Sequence, residues 1–304
     1  MLYIYCVNKT LYARLTKTEL NEITDTIEKK QIEYLKMNLP KTNIIPALIG
    51  ITIIFMACNK VFEFSPYEAN VKKDNKNTTA KNLQLIKDIQ VNSDTFKFAF
   101  VTDNHYHFTN LKNIIDDINK RNDIIFTIFG GDITDQGLLK EYQIFYDIMK
   151  NINKPYLTVI ANHDYNSNGE VVYKQMFGDY NYSFEFNHNK FVIFDDVVWE
   201  SNKTPDFNWL STQLADNALF KQIFVIAHIP PFGDQFDSDM EQKYKSLMQE
   251  NNVQLSLHGH VHVYSFGKVY EDSVNYLTLP LIKKPTYCII NVYNKSFDIE
   301  LVEL

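Results

Sequence analysis

The sequence predicts an α/β fold. Five short apolar runs each end in a polar tip, and longer helical patterns separate them. Seven of the eight histidines fall in four of those tips. Short β-branched and aromatic runs read as buried strands, and strands alternating with helices give a mainly parallel sheet with helices outside.

In chain order, the run 96–102 leads into Asp103-Asn104-His105-Tyr106-His107, and a helical pattern covers 111–120. The run 124–129 leads into Gly130-Gly131-Asp132, followed by a helical pattern over 138–152. The run 155–160 leads into Ala161-Asn162-His163-Asp164. Residues 182–195 alternate like a hairpin, with the eighth histidine, His188, at its turn. After a helical pattern over 207–218, the run 223–227 leads into His228. After another over 240–249, the run 253–257 leads into His258-Gly259-His260-Val261-His262. Residues 268–304 alternate like antiparallel strands with a turn at Asn294-Lys295; with 182–195 they suggest a second sheet packed on the first. Ligands of open α/β sheets gather beyond the carboxyl ends of the strands. All five tips lie there, so one cluster is expected, and its histidines and carboxylates suit divalent transition metals.

Together the five tips read Asp-x-His, Gly-Asp, Asn-His-Asp, His and Gly-His-x-His. That order resembles the calcineurin-like metallophosphoesterase family over residues 96–263. One motif alone is weak; five in order, each behind a strand, are specific. The resemblance implies a four-layer α/β/β/α sandwich of two mixed sheets. It also implies a dinuclear centre. Asp103, His105 and His262 would hold one ion, Asn162, His228 and His260 the other, and Asp132 would bridge them. His163 would be the general acid, with Asp164 beside it to orient or charge the ring. His258 would support the ligands or the core, and His107 would meet substrate or simply end its strand. The ligand set does not select among Mn, Fe, Zn and Ni.

The chemistry so implied is hydrolysis of small phosphate esters, diesters or monoesters. Two divalent cations lower the pKa of water from 15.7 to roughly 7, and a proton donor such as His163 adds about 10²–10⁴-fold. No Gly-x-Ser-x-Gly nucleophile pattern competes. The alternative is a non-catalytic metal-binding scaffold on the same fold. All seven ligand positions and His163 are present, which favours the enzyme. One departure stands out: the family usually has glycine before Asn-His, where this chain has Ala161.

The net charge of −7 does not favour a long nucleic acid as partner. Arginine occurs only at Arg14 and Arg121, so a bidentate guanidinium clamp on phosphate is not expected at the site. The segments 166–169 and 230–233 follow motif tips and are candidate entrance loops. The amino-terminal part divides differently. An apolar run of fourteen residues, 44–57, ends in Met56-Ala57-Cys58. It is short for a membrane span and resembles a bacterial lipoprotein signal. The expected organisation is a cytoplasmic or untranslated leader over 1–36, translation from Met37, and a signal peptide over 37–57. Lipidated Cys58 and a polar spacer follow over 58–88, and the catalytic domain covers 89–304. This implies a membrane-anchored lipoprotein of the bacterial cell envelope, facing periplasm or cell surface. Cys6 and Cys288 then leave no disulfide framework.

Overall fold

A computed structural model describes residues 26, 29–30, 65, 67–91 and 93–304. The chain divides into two compact units, Met1–Phe64 and Ser65–Leu304. In the first, Thr26, Lys29 and Lys30 are helical. Met37, the run 44–57 and Cys58 lie outside the described residues. Among the described residues, no helix is long and apolar enough to cross a membrane.

The second unit contains eleven strands among its described residues. They are β1 (Phe96–Val101), β2 (Ile124–Phe129), β3 (Tyr156–Thr158), β4 (Tyr182–Phe186), β5 (Asn189–Ile193), β6 (Ile223–Ile226), β7 (Leu255–His258), β8 (Ser265–Gly267), β9 (Asn275–Thr278), β10 (Thr286–Val292) and β11 (Phe297–Glu303). Six α-helices accompany them: α1 (Thr78–Asp88), α2 (Phe108–Lys120), α3 (Leu139–Met149), α4 (Gly169–Met176), α5 (Phe207–Leu214) and α6 (Ser238–Glu250). One sheet has the order β11-β10-β1-β2-β3 and the other β4-β5-β6-β7-β9-β8. Strands β1, β2 and β3 are parallel, as are β5, β6, β7 and β9, and the outer pairs are antiparallel. The architecture is the four-layer sandwich of two mixed sheets.

Alternation along each strand builds the layers. Phe96, Phe98 and Phe100 of β1 join Phe224 and Ile226 of β6 in one buried cluster. Ala99 and Val101, together with Val225, belong to another that includes the helix residues Ile115, Phe145 and Tyr244. Edge-on phenylalanines tie the sheets together: Phe98 lies 5.4 Å from Phe191 and 5.7 Å from Phe224. Each such buried ring contributes about 1.5–3 kcal/mol by leaving water.

Two expectations are corrected. The five motif strands do not form one sheet: β1, β2 and β3 lie in the first, β6 and β7 in the second. Both faces of all five are buried, so alternation alone cannot assign them to a sheet. The late strands do not form a sheet of their own either. Strands β10 and β11 extend the first sheet, and β9 runs parallel to β7. The hairpin at His188 is as expected, with Asn187 and His188 both left-handed at its two-residue turn. Helix α1 falls in the Lys/Asn-rich stretch before residue 89, and its Ile86 is buried.

Candidate metal centre

The tips of β1, β2, β3, β6 and β7 meet at one end of the sandwich, and they meet under strain. Asp103, His105, Asp132, His260 and His262 all have positive φ, between 45° and 66°. Non-glycine residues are uncommon there, and such strain persists only where surrounding contacts over-determine it. Those contacts run from tip to tip. Asp103 N–H donates to Gly131 O at 3.0 Å, and His105 N–H to Asp132 O at 2.9 Å. Gly259 N–H donates to His228 O at 2.9 Å, and His260 N–H crosses between the sheets to Asp103 Oδ1 at 3.2 Å.

Asp103, His105, Asp132 and His262 each bring a ligand atom within 4.8 Å of the others. His262 Nε2 lies 3.1 Å from Asp103 Oδ1. His105 Nε2 and His228 Nε2 stand 3.4 and 3.3 Å from the same atom, Asp132 Oδ2. His260 Nδ1 lies 3.2 Å from Asn162 Oδ1. All seven expected ligand positions are thus linked, directly or through Asp132 and Asp103, at one place.

The fit to metal rests on two buried atoms. His105 Nε2 and His228 Nε2 have no hydrogen-bond partner. Their Nδ1 atoms are engaged elsewhere, with Asp135 Oδ1 at 3.2 Å and Gly130 O at 2.8 Å. A carbonyl only accepts, so His228 carries a proton on Nδ1 and turns Nε2, the atom free to bind a metal, towards Asp132. Held imidazoles of this kind are the usual setting of a metal ligand. Charge agrees. Burial pushes the His228 imidazole down, but Asp132 and Asp103 pull it well above its ordinary value. Burial pushes the Asp132 carboxyl up, yet His228 and His105 hold it below the usual carboxylate range. The buried carboxylates demand positive charge, which a divalent cation supplies more fully than a proton.

His163 N–H donates to Asp132 Oδ1 at 3.0 Å, and its ring packs edge-on to His105 with centroids 4.5 Å apart. Asp164 does not flank that ring. Successive side chains of a 3-10 turn diverge by about 120°, and His163–Tyr165 is such a turn. The Asp164 carboxylate instead accepts from Ile133 N, Thr134 N, Thr134 Oγ1 and Ala161 N, which ties the Gly-Asp tip to the Asn-His tip. Burial first, then the charge of Asp132, raise it to about 7. Asp135 takes the flanking place: its main-chain carbonyl lies 2.8 Å from His163 Nδ1 and its carboxylate 3.9 Å away. Asp135 is not among the residues the motifs pick out; its spacing from Asp132 is its sequence signal.

Ala161 is accommodated from the opposite side. A Cβ on Gly131, itself at φ +101°, would lie 2.5 Å from the Ala161 methyl, so the space is left by the missing side chain on the neighbouring tip. His258 is buried on a chain running through Ser256 Oγ at 2.7 Å to Tyr244, consistent with a supporting role. His107 caps α2. Segment 166–169 leads into α4 and segment 230–233 forms a turn closed by Gly233 N–H on Pro230 O. Arg121 is committed to Asp117 and Glu300.

Comparison with known proteins agrees with this geometry. The family model described as calcineurin-like phosphoesterase matches residues 96–264, more than half of the chain. A probable cyclic nucleotide phosphodiesterase of Xenorhabdus bovienii is 26% identical over 192 residues, 58% of this chain and 76% of that protein. A probable glycerophosphodiester phosphodiesterase of Arcobacter nitrofigilis is 36% identical over 81 residues, only 27% of this chain and 28% of that protein. A purple acid phosphatase from yellow lupin seeds shares the fold, with a TM-score of 0.58 at 14% identity over 69% of this chain and 52% of its own. All five metal-binding motifs fall inside the matched span, and the chain therefore belongs to the calcineurin-like phosphoesterase family of phosphoric ester hydrolases.

Proposed function

We propose that this chain hydrolyses small phosphodiesters, and more slowly small phosphomonoesters, at a centre of two divalent transition-metal ions. Asp103, His105 and His262 hold one ion, Asn162, His228 and His260 the other, and Asp132 lies between them. The observation that carries this reading is the pair of unpartnered imidazole nitrogens facing one Asp132 oxygen. The ions supply Lewis acidity and a hydroxide nucleophile at neutral pH.

His163 handles the proton. Its Nδ1 faces a main-chain carbonyl, so that nitrogen carries hydrogen and Nε2 is the atom that protonates the leaving oxygen. Asp164 holds two tips in register and leaves ring orientation to Asp135. Among the described residues the one arginine, Arg121, is committed to Asp117 and Glu300, which supports weak recognition beyond the phosphoryl group and small substrates over polymers. The names of both curated relatives support a diester. We also place the protein at the bacterial cell envelope, anchored through lipidated Cys58, on the strength of the run 44–57 and its Ala57-Cys58 end.

Purified protein is expected to carry close to two transition-metal ions, and Asp132→Ala to lose most of them by elemental analysis. A panel of nitrophenyl diesters, nucleotide diesters, monoesters and DNA, in Mn²⁺ at matched phosphate, tests the substrate. Preference for the polymer overturns the small-substrate reading. No turnover by fully metallated protein moves it to a non-catalytic scaffold.

A further inference from the structure

One side of the centre is built from acceptors held by a chain of hydrogen bonds in two surface loops. Gln235, nearly fully buried, accepts at Oε1 from Val198 N–H at 2.9 Å and Trp199 N–H at 3.0 Å. Two main-chain donors on one oxygen fix the amide, so its Nε2 is the atom that meets Glu200 Oε2, at 2.9 Å. The other Glu200 oxygen then takes Asn162 Nδ2, at 3.3 Å. A carboxylate cannot donate, so Asn162 has its amide nitrogen turned outwards and Oδ1 turned inwards. On the far side, His260 Nε2 lies 2.8 Å from the exposed Asp234 carboxylate, which places its hydrogen on Nε2. The atoms left facing each other are Asn162 Oδ1 and His260 Nδ1, 3.2 Å apart. In a neutral imidazole both are bare acceptors, and a divalent cation set between them satisfies both lone pairs at once.

We propose that Glu200, Gln235 and Asp234 are positioning residues for the second ion. Glu200 and Gln235 set the polarity of the Asn162 amide, and Asp234 sets the tautomer of His260, so that both present acceptors to one divalent cation. This rests on the reading of Asn162 and His260 as ligands. It adds that affinity at this site is set by loops 198–200 and 234–235. The three ligands that it shares with no other ion, Asn162, His228 and His260, are uncharged when they coordinate; Glu200 and Asp234 place carboxylate charge just behind them.

The test is a titration of metal-free full-length protein with Mn²⁺ or Zn²⁺, read as stoichiometry and the two dissociation constants. Glu200→Gln gives one acceptor to two donors, so either Gln235 or Asn162 meets an amide N–H and Asn162 is driven to flip. The second ion should bind about 10–100-fold more weakly, the usual effect of losing an outer hydrogen bond to a ligand, while the first is unchanged. The swap Glu200→Gln with Gln235→Glu restores the polarity: the carboxylate at 235 accepts from Val198, Trp199 and the new amide, whose oxygen takes Asn162 Nδ2. Second-ion affinity should return in the swap, although its charge equals that of wild type and its contacts differ only in direction. Asp234→Ala should weaken the second ion, and Asp234→Asn, which still accepts from His260, should not; this exposed pair decides the matter if Glu200→Gln fails to fold. Unchanged second-ion affinity in Glu200→Gln and Asp234→Ala, or a folded swap that does not recover, overturns the proposal. Wild-type protein that binds a single ion overturns the two-ion reading itself, and the positioning role with it.

Discussion

A single methyl group at Gly259 is expected to empty the first metal position. A Cβ there would lie 2.2 Å from Asp103 Oδ2, 2.3 Å from Thr102 Oγ1 and 3.1 Å from His228 Cε1. Ordinary contact begins near 3.4 Å, so the Asp103 carboxylate must retreat by about 1.2 Å. It has little freedom to do so. It is fully buried, bonded to Thr102 Oγ1 at 2.8 Å and to His260 N–H. The backbone is not the obstacle, because Gly259 is not left-handed. Overpacking of this kind costs about 1–3 kcal/mol, a fall in melting temperature of roughly 2–12 °C for a domain of this size. The effect on function is larger, because a misplacement of about 1 Å at a reacting centre can cost about 10²-fold in rate. Gly259→Ala should therefore remain folded by circular dichroism, lose metal by elemental analysis, and drop about 10²-fold in kcat on a nitrophenyl diester. Full metal content with a near wild-type rate would refute the placement of Asp103 in the centre.

Three further outcomes are expected. His163→Ala should keep its metals, because its contact with Asp132 is through the main-chain N–H. It should lose about 10²–10⁴-fold on substrates with poor leaving groups and much less on nitrophenyl esters; an equal loss on both counts against proton donation. Asp195 is raised to about 6, by burial first and despite the Tyr165 hydroxyl it accepts. Its folded pKa lies above the unfolded value of about 3.9, so the stability it confers is complete below that value and is lost as pH rises through about 6. Asp195→Asn should thus gain on wild type in urea midpoint between pH 4 and 6, and a gap independent of pH would refute this. Cys58→Ser should block lipidation and processing; mass spectrometry that finds an unmodified Cys58 inside a peptide of the mature native protein would remove the anchor.

The strand tips were legible because histidine and glycine are scarce in this chain and cluster at the ends of apolar runs. What the sequence hid has physical causes. Helix α1 buries Thr78, Thr79 and Asn82 beside Ile86, and Asn82 Oδ1 accepts from Tyr156 N–H at 2.9 Å. A helix docked through polar residues shows no apolar period. Helix α4 buries Val172, Tyr173 and Met176, but the Asn-Ser-Asn-Gly before it draws attention as a turn. The partition of motif strands between two sheets was invisible because β1 and β6 are apolar on both faces.

Ligands and their orienting partners differ in how sequence reveals them. The proposed ligands are rare residue types in a fixed order. Asp135, Glu200 and Asp234 are three of 37 acidic residues, and nothing in their local sequence but the spacing after Asp132 sets any of them apart. They become visible only when folding places an acceptor against one nitrogen of an imidazole or amide and so decides which atom faces inwards. The same logic gives the phenylalanine core its functional weight. Asp103, His105, Asp132 and Asn162 stand on one sheet, and His228, His260 and His262 on the other. The spacing between the two sets of proposed ligands is therefore the spacing between sheets, which Phe98 holds by ring contacts of 5.4 Å with Phe191 and 5.7 Å with Phe224. A cavity in that layer, far from any ligand, should loosen both metal positions together, whereas a change in the Glu200 and Asp234 loops should touch only the second.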